Sequence, residues 1–186
     1  MRRIIVGVSG ASGSAYAYAL LRALRATPEV EMHLVLSSQA PTTIALEMPG
    51  KSAADFEELA DVVHRESNLA ASISSGSFRT EGMVVIPCSI KTASSIAYSF
   101  NDNLIARAAD VCLKERRRLV LVIRETPLHL GHLRTLTQLA EIGALILPPM
   151  PAMYARPASV EDILNHTVGK VLDQLDIQNE LFTRWR

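Results

Sequence analysis

The chain has 186 residues, enough for one α/β domain that buries about 70% of the surface its unfolded form exposes. Its 19 Lys plus Arg balance its 19 Asp plus Glu, so no net field draws it toward nucleic acid or an anionic membrane. No apolar run reaches the ~20 residues of a membrane span, Met1-Arg2-Arg3 leads into a strand without a signal-peptide pattern, and the two cysteines stand far apart, so a reducing, cytoplasmic setting is expected.

The first element is the most informative. Residues 3–8 form a β-branched, strand-like run that breaks into Ser9-Gly10-Ala11-Ser12-Gly13-Ser14 and then enters an apolar helix through Tyr16, Leu20, Leu21 and Leu24. A glycine turn at a helix start presents backbone N–H groups, here beside three serine hydroxyls, which suits an anion such as a phosphate. Gly7, Gly10 and Gly13 are spaced G-x-x-G-x-x-G, not as the dinucleotide fingerprint, and Leu36-Ser37-Ser38 ends the second strand where a ribose-binding carboxylate would stand. Gly13 is followed by Ser14 rather than lysine, which excludes a Walker loop. A flavin mononucleotide loop fits, and a tight β–α turn without a ligand is the plain alternative.

Further strands are expected over 31–36, 83–87, 119–123 and 144–147, separated by helical patterns. Residues 55–63 read as a short acidic helix followed by a Ser-rich loop. Leu104, Ile105, Ala108, Val111 and Cys112 make one helical stripe, and Leu133, Leu136, Thr137 and Ala140 a second. The longest stripe runs from Val160 through Leu175, with Ser159 as its cap and Asp162 as the capping-box partner. This alternation predicts a three-layer α/β/α, Rossmann- or flavodoxin-like parallel sheet, with ligands outside the carboxyl ends of the strands.

The loops at those ends carry the candidate chemistry. Pro87-Cys88-Ser89-Ile90-Lys91-Thr92 gathers hydroxyls and free N–H groups at a helix start, a second anion site. Cys88 reads as a buried structural thiol, since no His–Asp partner accompanies it. Arg124 and Glu125 end an apolar strand, either as a surface ion pair or as part of the site. Four prolines stiffen residues 148–157 around Tyr154. Arg107 and Lys114 share a helix face about 10 Å apart, and Lys170 flanks the last apolar stripe. His129 and His132 have i, i+3 spacing near a helix start but lack further ligands for a metal. The 48% apolar content is high for a small monomer and predicts a homo-oligomer.

Taken together, Gly10-Ala11-Ser12-Gly13, Ser37 with Glu47, residues 87–92, the run 103–115, residues 119–127, residues 148–154 and Arg184-Trp185 resemble the UbiX/Pad family of flavin prenyltransferases over nearly the whole chain. The resemblance implies transfer of a dimethylallyl group from dimethylallyl phosphate to reduced FMN, at N5 and then at C6. The product, prenylated FMN, would serve a separate UbiD-type decarboxylase. Gly10, Ala11, Ser12, Ser37, Ser89, Ile90, Lys91, Thr92 and Arg124 match flavin contacts, with Ser12 beside the reactive edge. Flavin phosphate is accordingly expected at residues 10–12 and 89–92. Arg107, Lys114, Arg124, Tyr154 and Lys170 match the substrate-phosphate site, and Glu47 a carboxylate near it. Glu125 matches the acid–base residue, and Ser12, Glu47 and Lys114 complete the implied catalytic set. No metal is implied, because cationic side chains hold the leaving phosphate. Members commonly assemble as dodecamers with sites between subunits. Lys170 stands where many members carry Arg, which replaces a bidentate fork with a point charge. The sequence also ends one residue after Trp185, where members often carry a further tail.

Three rival functions share this outline. A flavin-dependent cysteine decarboxylase would need a histidine early in the first helix, where Ser14, Ala15 and Tyr16 stand. Direct decarboxylation of an aromatic acid would need an electron sink beyond the flavin. A non-catalytic FMN carrier would keep the glycine and serine loops but have no use for Glu125 among cations.

Overall fold

In the computed structural model, which describes residues 1–185, all five expected strands form and a sixth joins them. They are β1 (Arg2–Val8), β2 (Val30–Leu36), β3 (Val62–Arg65), β4 (Gly82–Cys88), β5 (Arg118–Ile123) and β6 (Leu145–Ile146). Every pairing is parallel, in the order β3-β2-β1-β4-β5-β6. Each side of this sheet is covered, so the central strands are apolar on both faces; all seven residues of β4 are buried.

Seven helices supply the cover: α1 (Ser14–Arg25), α2 (Ala40–Glu47), α3 (Ala53–Glu57), α4 (Ile90–Ala97), α5 (Leu104–Lys114), α6 (Leu130–Glu141) and α7 (Val160–Gln174). One core layer joins Ile4, Val6, Leu20, Leu21, Phe56, Val84, Val120, Val168 and Leu172, which places α1 and α7 on one face. The other joins Ile5, Val35, Met83, Val85, Ile96, Ile105, Cys112, Leu121 and Leu139, which places α4, α5 and α6 on the opposite face. At ~25 cal/mol per Å² of apolar surface, these two layers are the main favourable term in folding.

Two segments depart from the sequence-based expectation. The acidic stretch is a helix only from Ala53 to Glu57, with Ser52 and Asp55 forming its capping box. Val62 and Val63 leave it to become the edge strand β3, whose alternate residues are exposed. Asp61 makes the switch: its carboxylate accepts from the Met32 amide at 2.8 Å and pairs with Arg25 at 2.7 Å. After β2, residues from Ala40 to Glu47, for which no helical stripe was expected, form α2, with Pro41 in its first turn. By contrast the α7 capping box forms as expected, with the Asp162 amide 3.2 Å from Ser159 Oγ and the Ser159 amide 2.9 Å from the Asp162 carboxylate. No helix of the described residues is long and apolar enough to cross a membrane.

Candidate active site

Strand order reverses between β1 and β4, and the crevice beyond their carboxyl ends is where such sheets take ligands. Ser9 joins the two loops there. Its Oγ donates to the Pro87 carbonyl at 2.7 Å and accepts from the amides of Ser89 at 3.0 Å and Ala11 at 3.3 Å. The hydroxyl expected to face an anion is thus spent within the protein, as a buried staple. A serine ending a buried strand directly before a glycine is the only hint of this in the sequence.

The third layer of the crevice comes from β2. Gly10 lies against Gln39 so tightly that a Cβ on residue 10 would come within 2.5 Å of Gln39 Cβ. Thr43 Oγ1 donates to the Gly10 carbonyl at 2.9 Å, and the Ser37 amide donates to the Val8 carbonyl at 2.8 Å. The Ser37 hydroxyl is buried and has no hydrogen-bond partner among the described residues. An orphaned buried hydroxyl on a candidate flavin residue fits a ligand that would complete it.

Two helix N-termini open on this crevice, and they are filled differently. At α1, where Gly13 turns with φ 115°, the Glu47 carboxylate accepts from the amides of Gly13 at 2.9 Å and Ser14 at 2.8 Å. Partial burial pushes the Glu47 pKa up, but hydrogen bonds from the Ser12 hydroxyl and from the Ser14 and Gly13 amides outweigh it and hold the group below its ordinary value. Ser12 and Glu47 thus lie together at the α1 N-terminus. The first-turn amides, however, already hold an anion supplied by the chain itself. At α4, Ser89 Oγ caps the Thr92 amide at 3.2 Å and meets the Thr92 hydroxyl at 3.1 Å. The amides of Ile90 and Lys91 donate to no described residue, and they face the crevice at a positive helix end.

Arg124 and Glu125 emerge at the end of β5 beside α4, the Arg124 amide donating to the Cys88 carbonyl at 3.1 Å. Both side chains are exposed and they form no ion pair with each other. Glu125 Oε1 instead accepts from the Thr126 amide at 3.0 Å. Cys88 is completely buried, and burial pushes its thiol far up, out of nucleophile range. Cys112 is likewise buried and pushed up to about 12. Among the described residues no group of three or more His, Cys, Asp or Glu is placed to hold a metal ion.

The remaining candidates do not converge within one chain. Arg107, near the start of α5, donates to the Ser74 carbonyl and pairs with Asp110, both at 3.1 Å. Lys114, at the end of α5, pairs with Glu115 at 2.6 Å. Only three residues separate it from the start of β5, so it lies at the amino end of the sheet, roughly 16 Å of strand away from Glu125. Lys170 is on α7, across the sheet from α5, and lies 3.9 Å from Asp173, which Arg184 grips at 2.8 and 2.9 Å. Tyr154 sits in a 3-10 turn (Met153–Ala155), edge-on to Trp185 at 5.1 Å and His166 at 6.2 Å between ring centroids. Three separate patches thus carry the expected cations.

The Flavoprotein family model matches residues 1–172. The chain is 56% identical over 188 aligned positions to the flavin prenyltransferase UbiX of Escherichia coli strain K12, covering 100% of this chain and 99% of that protein. Its structure matches a dodecameric FMN-dependent UbiX-like decarboxylase from Escherichia coli O157:H7 with a TM-score of 0.96, at 51% identity and 99% coverage of both chains. It also matches AnUbiX (PadA1), solved in complex with FMN and dimethylallyl pyrophosphate, with a TM-score of 0.96, 47% identity, and coverage of 100% of this chain and 97% of that one. The chain belongs to the Flavoprotein family and, within it, to the UbiX group of flavin prenyltransferases.

Proposed function

We propose that the chain joins a dimethylallyl group to N5 and C6 of reduced FMN, releasing phosphate and yielding prenylated FMN. The observation that carries this reading is the stapled crevice: Glu47 on the Gly13 and Ser14 amides beside Ser12, the orphaned Ser37 hydroxyl and the open α4 N-terminus gather beyond the strand ends, with Glu125 at the rim. FMN supplies the nucleophilic flavin edge when bound. Its phosphate goes to the amides of Ile90 and Lys91 and the hydroxyls of Ser37 and Ser89, because Glu47 already occupies the α1 N-terminus. Gly10 and Ala11 let the backbone approach the ring, and Ser12 holds a proton at its edge.

The leaving group needs cations, since carbon–oxygen cleavage builds negative charge on the phosphate. Arg124 stands at the rim of this crevice in its own chain. Arg107 lies one turn into α5, whose start is at the carboxyl end of the sheet, whereas Lys114 at the amino end, and Tyr154 and Lys170 with the α7 face, reach a crevice only from neighbouring copies. A homo-oligomer therefore completes each site. The exposed side chains of Leu46, Met150, Met153 and Val160, each more than two-thirds uncovered, support such assembly. Glu125 then stands where it can pass a proton to a phosphate oxygen. Once made, the product cofactor passes to a UbiD-type decarboxylase, and two buried unpaired thiols support a reducing, cytoplasmic setting.

The test is anaerobic incubation with reduced FMN and either dimethylallyl phosphate or the pyrophosphate, followed by mass measurement of the released flavin. A gain of one dimethylallyl unit supports the reading and identifies the donor. Unchanged FMN mass with both donors overturns it.

A further inference from the structure

We propose that His129 is a positioning residue for Glu125: its neutral imidazole caps α6 and thereby holds the loop that carries the carboxylate, an inference that rests on the prenyltransferase reading. Residues 124–129 link β5 to α6 and are all exposed. Among the described residues this loop is tied at only two points. At one end the Arg124 amide donates to the Cys88 carbonyl at 3.1 Å. At the other, the His129 carbonyl accepts from the Leu133 amide at 3.2 Å and His129 Nδ1 accepts from the amides of Gly131 at 3.0 Å and His132 at 3.3 Å. Between them the loop makes one internal bond, from the Thr126 amide to Glu125 itself. The placement of Glu125 therefore depends on the two ends.

Three features are built around this ring position. Both partners of Nδ1 are donors, so Nδ1 must be unprotonated. A Cβ on Gly131 would lie 2.8 Å from His129 Cε1 and 3.1 Å from Nδ1, so only glycine lets the ring fold back. The His132 ring lies against His129, tilted by 33° with 3.5 Å between centroids, and its own Nδ1 is buried without a partner among the described residues. Helices usually take Asn, Asp, Ser or Thr for this task, none of which titrates near neutrality as an acceptor-to-donor switch. Imidazole does change charge between pH 5 and 8. A protonated ring would point an N–H at two amides, at the positive end of the helix. The surrounding charges are His132, Arg134 and Glu141 on α6, Arg124 and Glu125 in the loop, and Lys91 on α4; β6, which also packs on α6, carries none.

The experiment compares wild type, His129→Asn and His129→Leu at pH 7.5 and 5.5, by hydrogen–deuterium exchange of peptides spanning 129–133 and by anaerobic prenylation kinetics. At pH 7.5 His129→Leu should lose protection at residues 131 and 132 by about 5-fold, the factor that a missing cap imposes. Its kcat should fall by a similar factor with KM for FMN unchanged, and His129→Asn should match wild type in both. At pH 5.5 the kcat ratio of His129→Asn to wild type should rise, since an imidazole can take up a proton there and an amide cannot. Wild-type kcat in His129→Leu, a loss confined to KM, no rescue by Asn, or a pH-independent ratio would overturn the proposal while leaving the prenyltransferase reading intact. If the Leu variant does not fold, the Asn-to-wild-type ratio decides alone. Absence of prenylated FMN from wild type at both pH values overturns both readings.

Discussion

Replacing Glu47 with Gln should weaken the fold at neutral pH and leave it unaffected in acid. The Glu47 carboxylate holds the amide of Gly13, which caps α1, at 2.9 Å and the first amide of α1, Ser14, at 2.8 Å. Gln keeps one acceptor oxygen and loses one charge-assisted bond, worth about 1.5–3 kcal/mol where water is excluded. The charge–helix interaction adds about 0.3–1 kcal/mol. Glu47 is exposed, so solvent screening cuts the sum, and about 1–2 kcal/mol is expected. The folded-state pKa lies below the unfolded one, so this stability is present above the unfolded value, near pH 4.3, and is lost as pH falls through the folded value. Protonated Glu and Gln are nearly isosteric, so the two proteins converge once the group is protonated. Urea unfolding of wild type and Glu47→Gln, at steps from pH 7 to pH 3, measures the difference directly. A stability gap that stays constant across that range would show that the carboxylate charge is not what caps α1.

Glu125→Gln should bind FMN normally but slow prenylation by about 10²–10⁴-fold, as loss of a positioned acid or base does; an unaltered single-turnover rate would remove the residue from the chemistry. Gly10→Ala should lose flavin affinity and about 1–3 kcal/mol of stability, because its Cβ would sit 2.5 Å from Gln39 Cβ; flavin titration and urea unfolding check both. Lys114→Ala and Glu125→Gln should each be inactive alone yet regain about a quarter of wild-type activity when co-assembled by refolding together. Sites that draw the two residues from different copies are intact at that frequency in a random oligomer. No recovery would mean that one chain supplies both residues.

Much of the architecture was legible because the strands are buried on both faces and therefore read as unbroken apolar runs. The edge strand β3 was not, since its alternate residues face solvent and its valines continue a helix-like acidic stretch. Its register is fixed by Asp61 reaching back to Met32, a contact 29 residues apart in sequence that no local pattern signals. The helix α2 hid for a related reason. Its sequence, Ala-Pro-Thr-Thr-Ile-Ala-Leu-Glu, buries only Ala40 and Ile44, too few positions to show a helical stripe.

The site was legible in its loops and illegible in its assembly. Hydroxyls and glycines after each strand marked the crevice, because those residue types serve few other purposes at such positions. Which hydroxyls face a ligand depends on internal partners: Ser9 is consumed by Pro87 and Ser89, whereas Ser37 is left orphaned. The cations show the larger gap. Arg107 and Lys114 share a helix, so spacing alone makes them neighbours of whatever lies at either end. Strand direction decides which end matters, and α5 runs back along the sheet, carrying Lys114 away from Glu125. Likewise, nothing in the spacing of α5 and α7 says that the sheet separates them. Within one copy their cations are spent on Asp110, Glu115 and Asp173, the Lys114–Glu115 pair exposed and worth little, the other two half-buried at the carboxylate. A charge set that is weakly engaged at separate surfaces, with Lys114 and Lys170 away from the crevice whose rim carries Arg124, is what the proposed site shared between copies would require of each monomer.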